Sequence, residues 1–251
     1  MDKKRYSLTI NGFLVEAELS RREREQAIDP VLDALLALHG RSARRTVAFL
    51  AGPPGAGKST LAELFCVRAS ERRLPARVQT LGLDGFHYPN AYLDATYRTI
   101  DGVRTRLRDV KGRPETFDVH HFSETLKRAR TEEGVVWPRY DRTTHDVDAR
   151  GAVVTGDVLI VEGNWLLLDA PDWNEARTWC DGTIALRAPE PILRERLLAR
   201  KMRGGLSREQ AEAWYARVDG PNVARFENES VSADYNLMYT ENTLKVCTAR
   251  V

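Results

Sequence analysis

A glycine-rich segment beginning at Gly52 matches GxxxxGK[ST], the pattern of a phosphate-binding loop between a strand and a helix. Its glycines let successive backbone N–H groups turn toward one anion, and a helix beginning near Ser59 adds free amides and its dipole. Lys58 is expected to reach the β- and γ-phosphates of a nucleotide, and the Ser59 hydroxyl to bind Mg²⁺. The residues expected to hold the nucleotide are Gly52, Pro53, Pro54, Gly55, Ala56, Gly57, Lys58, Ser59 and Thr60.

Two acidic residues follow apolar, strand-like runs. Glu162 comes after Val158-Leu-Ile-Val, which is the Walker-B pattern of a residue that holds Mg²⁺ or its water. A buried carboxylate without a partner is costly, so a nearby cation explains it better than a structural role. Asp84 ends the run TLGL beside Gly85, and the carboxyl ends of strands line the ligand crevice of a doubly wound sheet. The residues alone leave open whether Asp84 points at the γ-phosphate or caps a turn.

Three arginines are spaced as one face of a helix. Arg196, Arg200 and Arg203 follow the i, i+4, i+7 pattern and precede Gly204-Gly205. Such a face can close over bound phosphates as a lid. A solvated helix face is the alternative, and the spacing does not decide between the two.

Strands and helices alternate around these residues, which predicts a parallel sheet with helices on both faces. The apolar, β-branched run Thr46–Ala51 is typical of a buried parallel strand. Further strands are predicted at Arg77–Leu83, Val158–Val161, Thr183–Leu186 and, more weakly, Asn236–Tyr239; helices are predicted at Ser59–Glu71, His120–Glu132, Pro191–Met202 and Arg208–Arg217. Residues 97–113 and 136–155 are polar and poorly periodic, and we interpret both as loops.

The first forty residues are predicted to form a separate small unit. Tyr6–Ile10 and Phe13–Glu18 flank Asn11-Gly12, a strong hairpin signal. Apolar residues then recur at helical spacing from Ile28 until Gly40. We therefore divide the chain into an N-terminal hairpin and helix (1–40) and a phosphate-loop domain (41–251), packed as a single compact domain.

Composition excludes several classes of protein. Lys and Arg total 38 against 36 acidic residues, and a net charge of +2 argues against nucleic-acid binding through bulk charge. Arginine supplies 31 of the 38 cations; it suits phosphate and carboxylate contacts, although a GC-rich genome would give the same bias. No apolar run approaches the roughly 20 residues of a membrane span. Three widely spaced cysteines and the lack of an apolar leader predict a cytoplasmic protein without membrane insertion.

The phosphate loop alone does not give the reaction. The chain lacks the NKxD motif of GTPases and the LSGGQ signature of ABC-type ATPases. Two classes remain, a phosphotransferase or a nucleotide-dependent switch.

The segments GPPGAGKST, LDGFHYPN, KGRPETFDV, WPRYDRTTHD, VLIVEGNWLLLD and RKMRGGLSREQAEAWYARVDGPN together resemble the P-loop superfamily of uridine kinase, phosphoribulokinase and type I pantothenate kinase. The resemblance runs from about Tyr6 to Asn228 and is strongest to a bacterial nucleoside/nucleotide kinase family of YggC-like proteins, often described as a "putative fructose-transport-system kinase". It implies a P-loop NTPase-type α/β fold and transfer of phosphate from ATP to a hydroxyl group.

The resemblance also implies roles for particular residues. Asp84 takes the position of the acid that orients or deprotonates the acceptor hydroxyl, and Glu162 matches the metal-side glutamate. Tyr140 and Arg142 occupy acceptor-contacting positions of the pantothenate kinase pattern, although the second differs in type. The lid arginines correspond to Arg200 and Arg203. His87 is expected to touch the acceptor because it is close to Asp84 in the chain.

The chain departs from close relatives in an extended stretch around Thr96–Val110. Four arginines there are candidates to contact a phosphorylated or acidic acceptor, or else lie on a solvated loop; they are Arg98, Arg104, Arg106 and Arg108. Because of this stretch, the substrate of a relative cannot be assigned to this protein by similarity alone.

We therefore expect an ATP- and Mg²⁺-dependent kinase that phosphorylates a hydroxyl group of a small metabolite. A sugar, a nucleoside or a pantothenate-like compound is the expected acceptor, with Lys58, Asp84, Arg200 and Arg203 as catalytic residues. The alternative is a P-loop regulatory module that binds ATP, is associated with a sugar transport system and has no metabolite acceptor. A homodimer is a candidate assembly, and the sequence fixes neither the acceptor nor the oligomeric state.

Overall fold

The computed structural model describes residues 2–10, 12–240 and 243–249 of the 251-residue chain, with the backbone alone for 246–249. Within these residues, every helix is too short or too polar to traverse a bilayer.

The regular elements follow one another in a strand–helix alternation. The strands are β1 (Lys3–Ile10), β2 (Phe13–Ser20), β3 (Thr46–Ala51), β4 (Val78–Gly82), β5 (Tyr97–Ile100), β6 (Val103–Arg106), β7 (Val136–Asp141), β8 (Asp146–Val153), β9 (Val158–Gly163), β10 (Gly182–Arg187), β11 (Tyr235–Thr240) and β12 (Thr243–Ala249). The α-helices are α1 (Arg21–Glu23), α2 (Asp29–His39), α3 (Lys58–Glu71), α4 (Asn90–Ala95), α5 (Val119–Thr131), α6 (Pro171–Arg177), α7 (Glu190–Arg203), α8 (Arg208–Trp214) and α9 (Gly220–Glu229).

A six-stranded sheet forms the centre of the molecule, in the order β12-β11-β10-β3-β9-β4. All neighbouring strands are parallel except β12, which pairs antiparallel with β11. The predicted strands of this sheet and the helices predicted at Ser59–Glu71, His120–Glu132 and Pro191–Met202 are present, with bounds shifted by at most two residues. The predicted doubly wound α/β fold is thereby confirmed.

Strand β3 is buried along its whole length because helices cover both of its faces. Ala48 and Leu50 pack in one apolar cluster with α2, α3 and α7. Val47, Phe49 and Ala51 pack in a second cluster on the opposite face, with α5, α6 and α9. The apolar run from Val47 to Ala51 therefore follows from the central position of the strand.

The N-terminal hairpin packs against the first of these clusters. Strands β1 and β2 pair antiparallel with Ile10 opposite Phe13, and the predicted turn residue Asn11 lies outside the described residues. Tyr6, Leu8 and Leu19 are buried in the same cluster as Leu35 of α2 and the sheet. The helix predicted from Ile28 begins earlier, with α1 and the π-helical turn Arg24–Ile28.

The prediction of loops at 97–113 and 136–155 was wrong, since each segment contains an antiparallel hairpin. Strands β5 and β6 form the first hairpin and β7 and β8 the second. Both hairpins lie outside the central sheet, and most residues of β5, β6 and β8 are at least partly exposed. In β7 the buried residues Trp137 and Pro138 are adjacent, at a shift in the register. The alternation of polar and apolar residues that marks a half-buried strand is therefore missing.

Besides these hairpins, four further elements were not predicted. Strand β12 and the short helix α4 carry weak sequence signals, and α6 and α9 begin with Pro171 and with Gly220-Pro221. A proline in the first turn is compatible with a helix, because the N–H that it lacks has no partner there in any case. The helix predicted at Arg208–Arg217 changes at Tyr215 into the π-helical turn Tyr215–Asp219.

Candidate active site

The candidate site lies where three neighbouring parallel strands end. The phosphate loop follows β3, Glu162 lies near the end of β9, and Asp84 follows β4 in a 3₁₀ turn, Leu83–Phe86. Glu162 is in register with Leu50 on one side and with Gly82 on the other. This register brings residues far apart in the chain to one edge of the sheet, as expected for a ligand crevice.

The phosphate loop is shaped by glycine and ends at the first residue of α3. Gly57 caps that helix with φ +96°, a conformation that other residues rarely adopt. The buried Lys58 Nζ donates to the Pro53 carbonyl at 3.1 Å and to Asn164 Oδ1 at 2.7 Å. Burial lowers the pKa of Lys58 to about 8, against the opposing effect of the Glu162 and Asp84 charges. Both hydrogen-bond acceptors are neutral, so they do not neutralise the charge of the Lys58 ammonium group. A phosphate can therefore bind it as a counter-ion.

The expected metal ligands are in contact with each other. The Ser59 hydroxyl donates to Glu162 Oε1 at 2.8 Å. Burial raises the pKa of Glu162, while Lys58 lowers it. A hydroxyl and a carboxylate are the hard oxygen donors that Mg²⁺ prefers, and Mg²⁺ completes its shell with water and phosphate. No cluster of three His, Cys, Asp or Glu residues able to hold a metal occurs in the described part of the chain.

Asp84 and Arg142 form an ion pair at the mouth of the crevice. Arg142 Nη2 donates to Asp84 Oδ2 at 2.5 Å, and each side chain is 37% exposed. Burial alone would raise the pKa of Asp84, but the charges of Arg142, His87, Lys58 and Arg200 outweigh it and lower the pKa. Asp84 is therefore an ionised hydrogen-bond acceptor that remains open to a ligand.

Gly85 allows the turn that carries Asp84 to lie directly on β7. A Cβ atom at this position would lie 2.1 Å from the Pro138 carbonyl oxygen. The role of Gly85 is this close approach. The contact holds the Asp84 turn against the strand that carries Tyr140.

His87 and Tyr140 form an aromatic wall beside Asp84. His87 Nδ1 is 2.9 Å from the Asp84 carbonyl oxygen, which can only accept, so Nδ1 carries the proton. Burial lowers the pKa of His87 to about 4, although Asp84 opposes the shift, and the ring is neutral at physiological pH. The ring stacks on Phe117 and lies 5.6 Å from the Tyr140 ring centroid. The Tyr140 hydroxyl donates to the His145 carbonyl.

The arginines of α7 differ in their relation to the site. Arg196 Nη1 donates to the Gly55 carbonyl at 3.4 Å and thus packs against the phosphate loop. Arg200 and Arg203 are both exposed. The charge of Arg200 acts on the pKa of Lys58 and of Asp84, whereas the charge of Arg203 acts on the pKa of Arg200. Arg200 is therefore the α7 arginine whose charge reaches the predicted site.

Sequence reasoning missed three polar residues at or next to the site. Asn164 binds Lys58, and its position two residues after Glu162 at the end of β9 was an available signal. Lys111 Nζ donates to Asn90 Oδ1 at 2.7 Å, and it lies 4.8 Å from the centroid of the Tyr140 ring. Asn90 begins the short helix α4 and Lys111 follows a 3₁₀ turn, and no sequence pattern indicated either position.

Comparison with known proteins finds similar kinases, although no protein-family model matches the chain. "Uncharacterized protein YggC" of Escherichia coli K12 is 46% identical over 93% of this chain and 95% of its own length. A "putative uridine kinase" of Schizosaccharomyces pombe is 31% identical over 76% of this chain and 82% of its own. Pantothenate kinases match about half of the chain, for example at 34% identity over 45% of it in Limosilactobacillus reuteri.

A solved structure is also similar over most of its length. The "putative fructose transport system kinase" of Silicibacter sp. TM1040 superposes with a TM-score of 0.73 and 30% identity, covering 85% of this chain and 99% of that protein.

Proposed function

The chain belongs to the YggC-like family within the uridine kinase and pantothenate kinase superfamily of P-loop kinases, and from this premise we propose that it transfers the γ-phosphoryl group of ATP to a hydroxyl group of a small metabolite. One observation carries the proposal. Asp84 lies in the turn directly after Gly82, which is in register with Glu162, and the charge of the ionised Asp84 acts on the pKa of both Lys58 and Glu162. A nucleotide-binding site with an open carboxylate beside it suits a kinase with an acceptor.

The residues of the site divide the work of phosphoryl transfer. Lys58 and the loop amides bind the β- and γ-phosphates, and Ser59 and Glu162 hold Mg²⁺, which supplies charge neutralisation when bound. Asp84 accepts a hydrogen bond from the acceptor hydroxyl and aims its oxygen at the γ-phosphorus. As the O–P bond forms, the bond to the β-phosphate oxygen breaks and the hydroxyl proton passes to Asp84. Arg200 stabilises the charge on the transferred group.

Tyr140, His87 and Arg142 bind the acceptor in this proposal, and Arg203 assists closure of α7 over the phosphates. Arg142 must share Asp84 with the incoming hydroxyl, which its partly open position permits. We further propose that the protein acts in the cytoplasm, where ATP is supplied; its described cysteines, Cys66 and Cys180, are free thiols.

An ATP-consumption screen against sugars, nucleosides and vitamin precursors tests the proposal. We expect ADP formation that depends on one class of acceptor and on Mg²⁺. ATP binding without acceptor-dependent turnover would contradict it.

A regulatory module that binds ATP is the second candidate. The name of the similar Silicibacter protein, a kinase of a fructose transport system, favours it. In that case the screen finds only slow, acceptor-independent ATP hydrolysis, and Asp84→Asn leaves that rate nearly unchanged.

A further inference from the structure

Two cations converge on one neutral oxygen beside the candidate site. Lys111 Nζ and Arg108 Nη1 both donate to Asn90 Oδ1, and Lys111 also donates to the His145 carbonyl at 2.9 Å. Neither cation has a carboxylate within 4.0 Å among the described residues. Among the acidic residues, Asp146 has the largest effect on the pKa of Lys111. Its Oδ1 atom already accepts hydrogen bonds from the backbone N–H groups of Asn90 and Val147.

Desolvation makes this arrangement costly without a further partner. Burial lowers the pKa of Lys111 to about 8, and the charge of Arg108 lowers it further, while Asp146 and Asp84 oppose the shift. A bound anion would relieve both effects, because it offsets the desolvation and screens the two cations from each other. The cluster is thus suited to bind an anion.

The cluster is connected to Asp84 through a single side chain. Lys111 Nζ and Arg142 Cζ lie 4.8 and 4.9 Å from the centroid of the Tyr140 ring. Arg142 in turn binds Asp84. A small molecule that spans the Tyr140 ring can therefore touch the cation pair at one end and Asp84 at the other.

We propose that the acceptor carries an anionic group, a carboxylate or a phosphate ester, which binds Lys111 and Arg108 while its hydroxyl group meets Asp84. This inference rests on the proposed kinase function. It assigns Arg108, within the arginine-rich stretch, to the acceptor pocket, and it separates anionic acceptors from neutral sugars and nucleosides.

Calorimetry on the full chain, loaded with Mg²⁺ and a non-hydrolysable ATP analogue, tests the proposal with matched pairs. The pairs are ribose and ribose 5-phosphate, pantothenyl alcohol and pantothenate, and glycerol and glycerate. We expect the anionic member of at least one pair to bind about tenfold or more tightly, the usual effect of a charged hydrogen bond. The phosphate pair and the two carboxylate pairs distinguish the two kinds of anion.

Variants identify the residues responsible. Lys111→Ala and Arg108→Ala should each remove most of the preference, and Lys111→Arg should retain part of it, which separates loss of charge from misfolding. Lys127→Ala is the matched control, because Lys127 is exposed on α5 over the Trp179 ring. Equal binding within every pair, or a preference that Lys111→Ala leaves intact, overturns the inference. Anion binding without phosphoryl transfer would contradict the proposed function alone.

Discussion

At the scale of single residues, the ion pair of Asp84 with Arg142 sets the chemistry that the site can perform. The pair keeps the carboxylate ionised, although burial favours its protonated form. An ionised carboxylate can both orient the acceptor hydroxyl and take up its proton as the new O–P bond forms.

Asp84→Asn should lower turnover by about 10²-fold or more, since the amide can orient the hydroxyl but cannot take its proton. Binding of Mg²⁺ with a non-hydrolysable ATP analogue should stay close to that of the wild type. Steady-state kinetics and calorimetry measure the two quantities. Asp94→Asn, on the exposed side of α4, is the control and should be silent. Near-normal turnover of the first variant would remove Asp84 from the reaction.

Lys58 should make nucleotide binding sensitive to pH. Its pKa of about 8 in the free protein means that it loses its charge as the pH rises through 8, and phosphates bind the charged form. Affinity should therefore be constant at lower pH and fall toward about tenfold per pH unit above 8. Calorimetry between pH 6.5 and 9.5 measures this, and Lys58→Arg should abolish the dependence. Lys111→Ala should retain it; a flat wild-type profile would contradict the prediction.

At the scale of elements, α7 and the turn after β4 position the charged groups around the phosphate loop. Helix α7 contacts the loop through Arg196 and through Leu197, whose Cγ would lie 3.1 Å from a Cβ at position 55. These contacts hold the middle of α7 beside the loop, and its arginines lie at different distances along the helix from this contact.

Arg200→Ala should reduce turnover by about 10²-fold or more, as the loss of a group that stabilises transition-state charge does. Arg203→Ala should have a smaller effect, because its charge acts on Arg200 rather than on Lys58 or Asp84. Comparing kcat for the two variants at saturating ATP is the measurement. Equal losses would mean that both arginines reach the phosphates.

Gly85→Ala should destabilise the protein by about 1–3 kcal/mol, because its Cβ collides with the Pro138 carbonyl and forces the Asp84 turn away from β7. Urea unfolding measures the loss. Gly82→Ala is a matched control: it has an extended backbone and no atom within 4 Å of the new Cβ. If Gly85→Ala is as stable as this control, the close approach does not constrain the turn.

At the scale of the whole molecule, the arginine excess mainly serves ion pairing. Apart from those of Lys3 and Lys4, the ion pairs between described residues are made by arginine. Most of these pairs lie outside the site, where Arg142 contacts Asp84. The composition therefore reflects carboxylate pairing over the surface more than phosphate binding.

We propose that the N-terminal forty residues and the phosphate-loop domain unfold as one unit, because they share one apolar cluster. Leu35→Ala should cost about 2–5 kcal/mol, since Leu35 is 2% exposed and packs against β10 at Gly182. Circular dichroism and the fluorescence of Trp137 and Trp165, on the opposite face, should then report the same shifted midpoint. Leu14→Ala, at a residue 74% exposed, should change little. Separate transitions would contradict a single unit.

The phosphate loop, the two strand-end acids and the succession of the sheet's strands and their helices along the chain were predictable from the sequence alone. Each depends on a short run of residues: glycines that permit the turn at Gly57, apolar residues that force β3 and β9 into the interior, and an acid where the strand ends. Local backbone preferences and hydrophobic burial fix such features without knowledge of distant contacts. The family resemblance rested on the same segments.

Only the tertiary structure decided which distant residues meet. Lys58 with Asn164, Asp84 with Arg142, and Lys111 with Asn90 join residues 106, 58 and 21 positions apart. These contacts depend on the placement of β9 between β3 and β4 and on two hairpins that lie outside the central sheet. A periodic hydrophobic pattern in the sequence shows which residues of a segment are buried. It does not show which other strand or side chain they contact, so the sequence indicates neither the strand order nor these contacts.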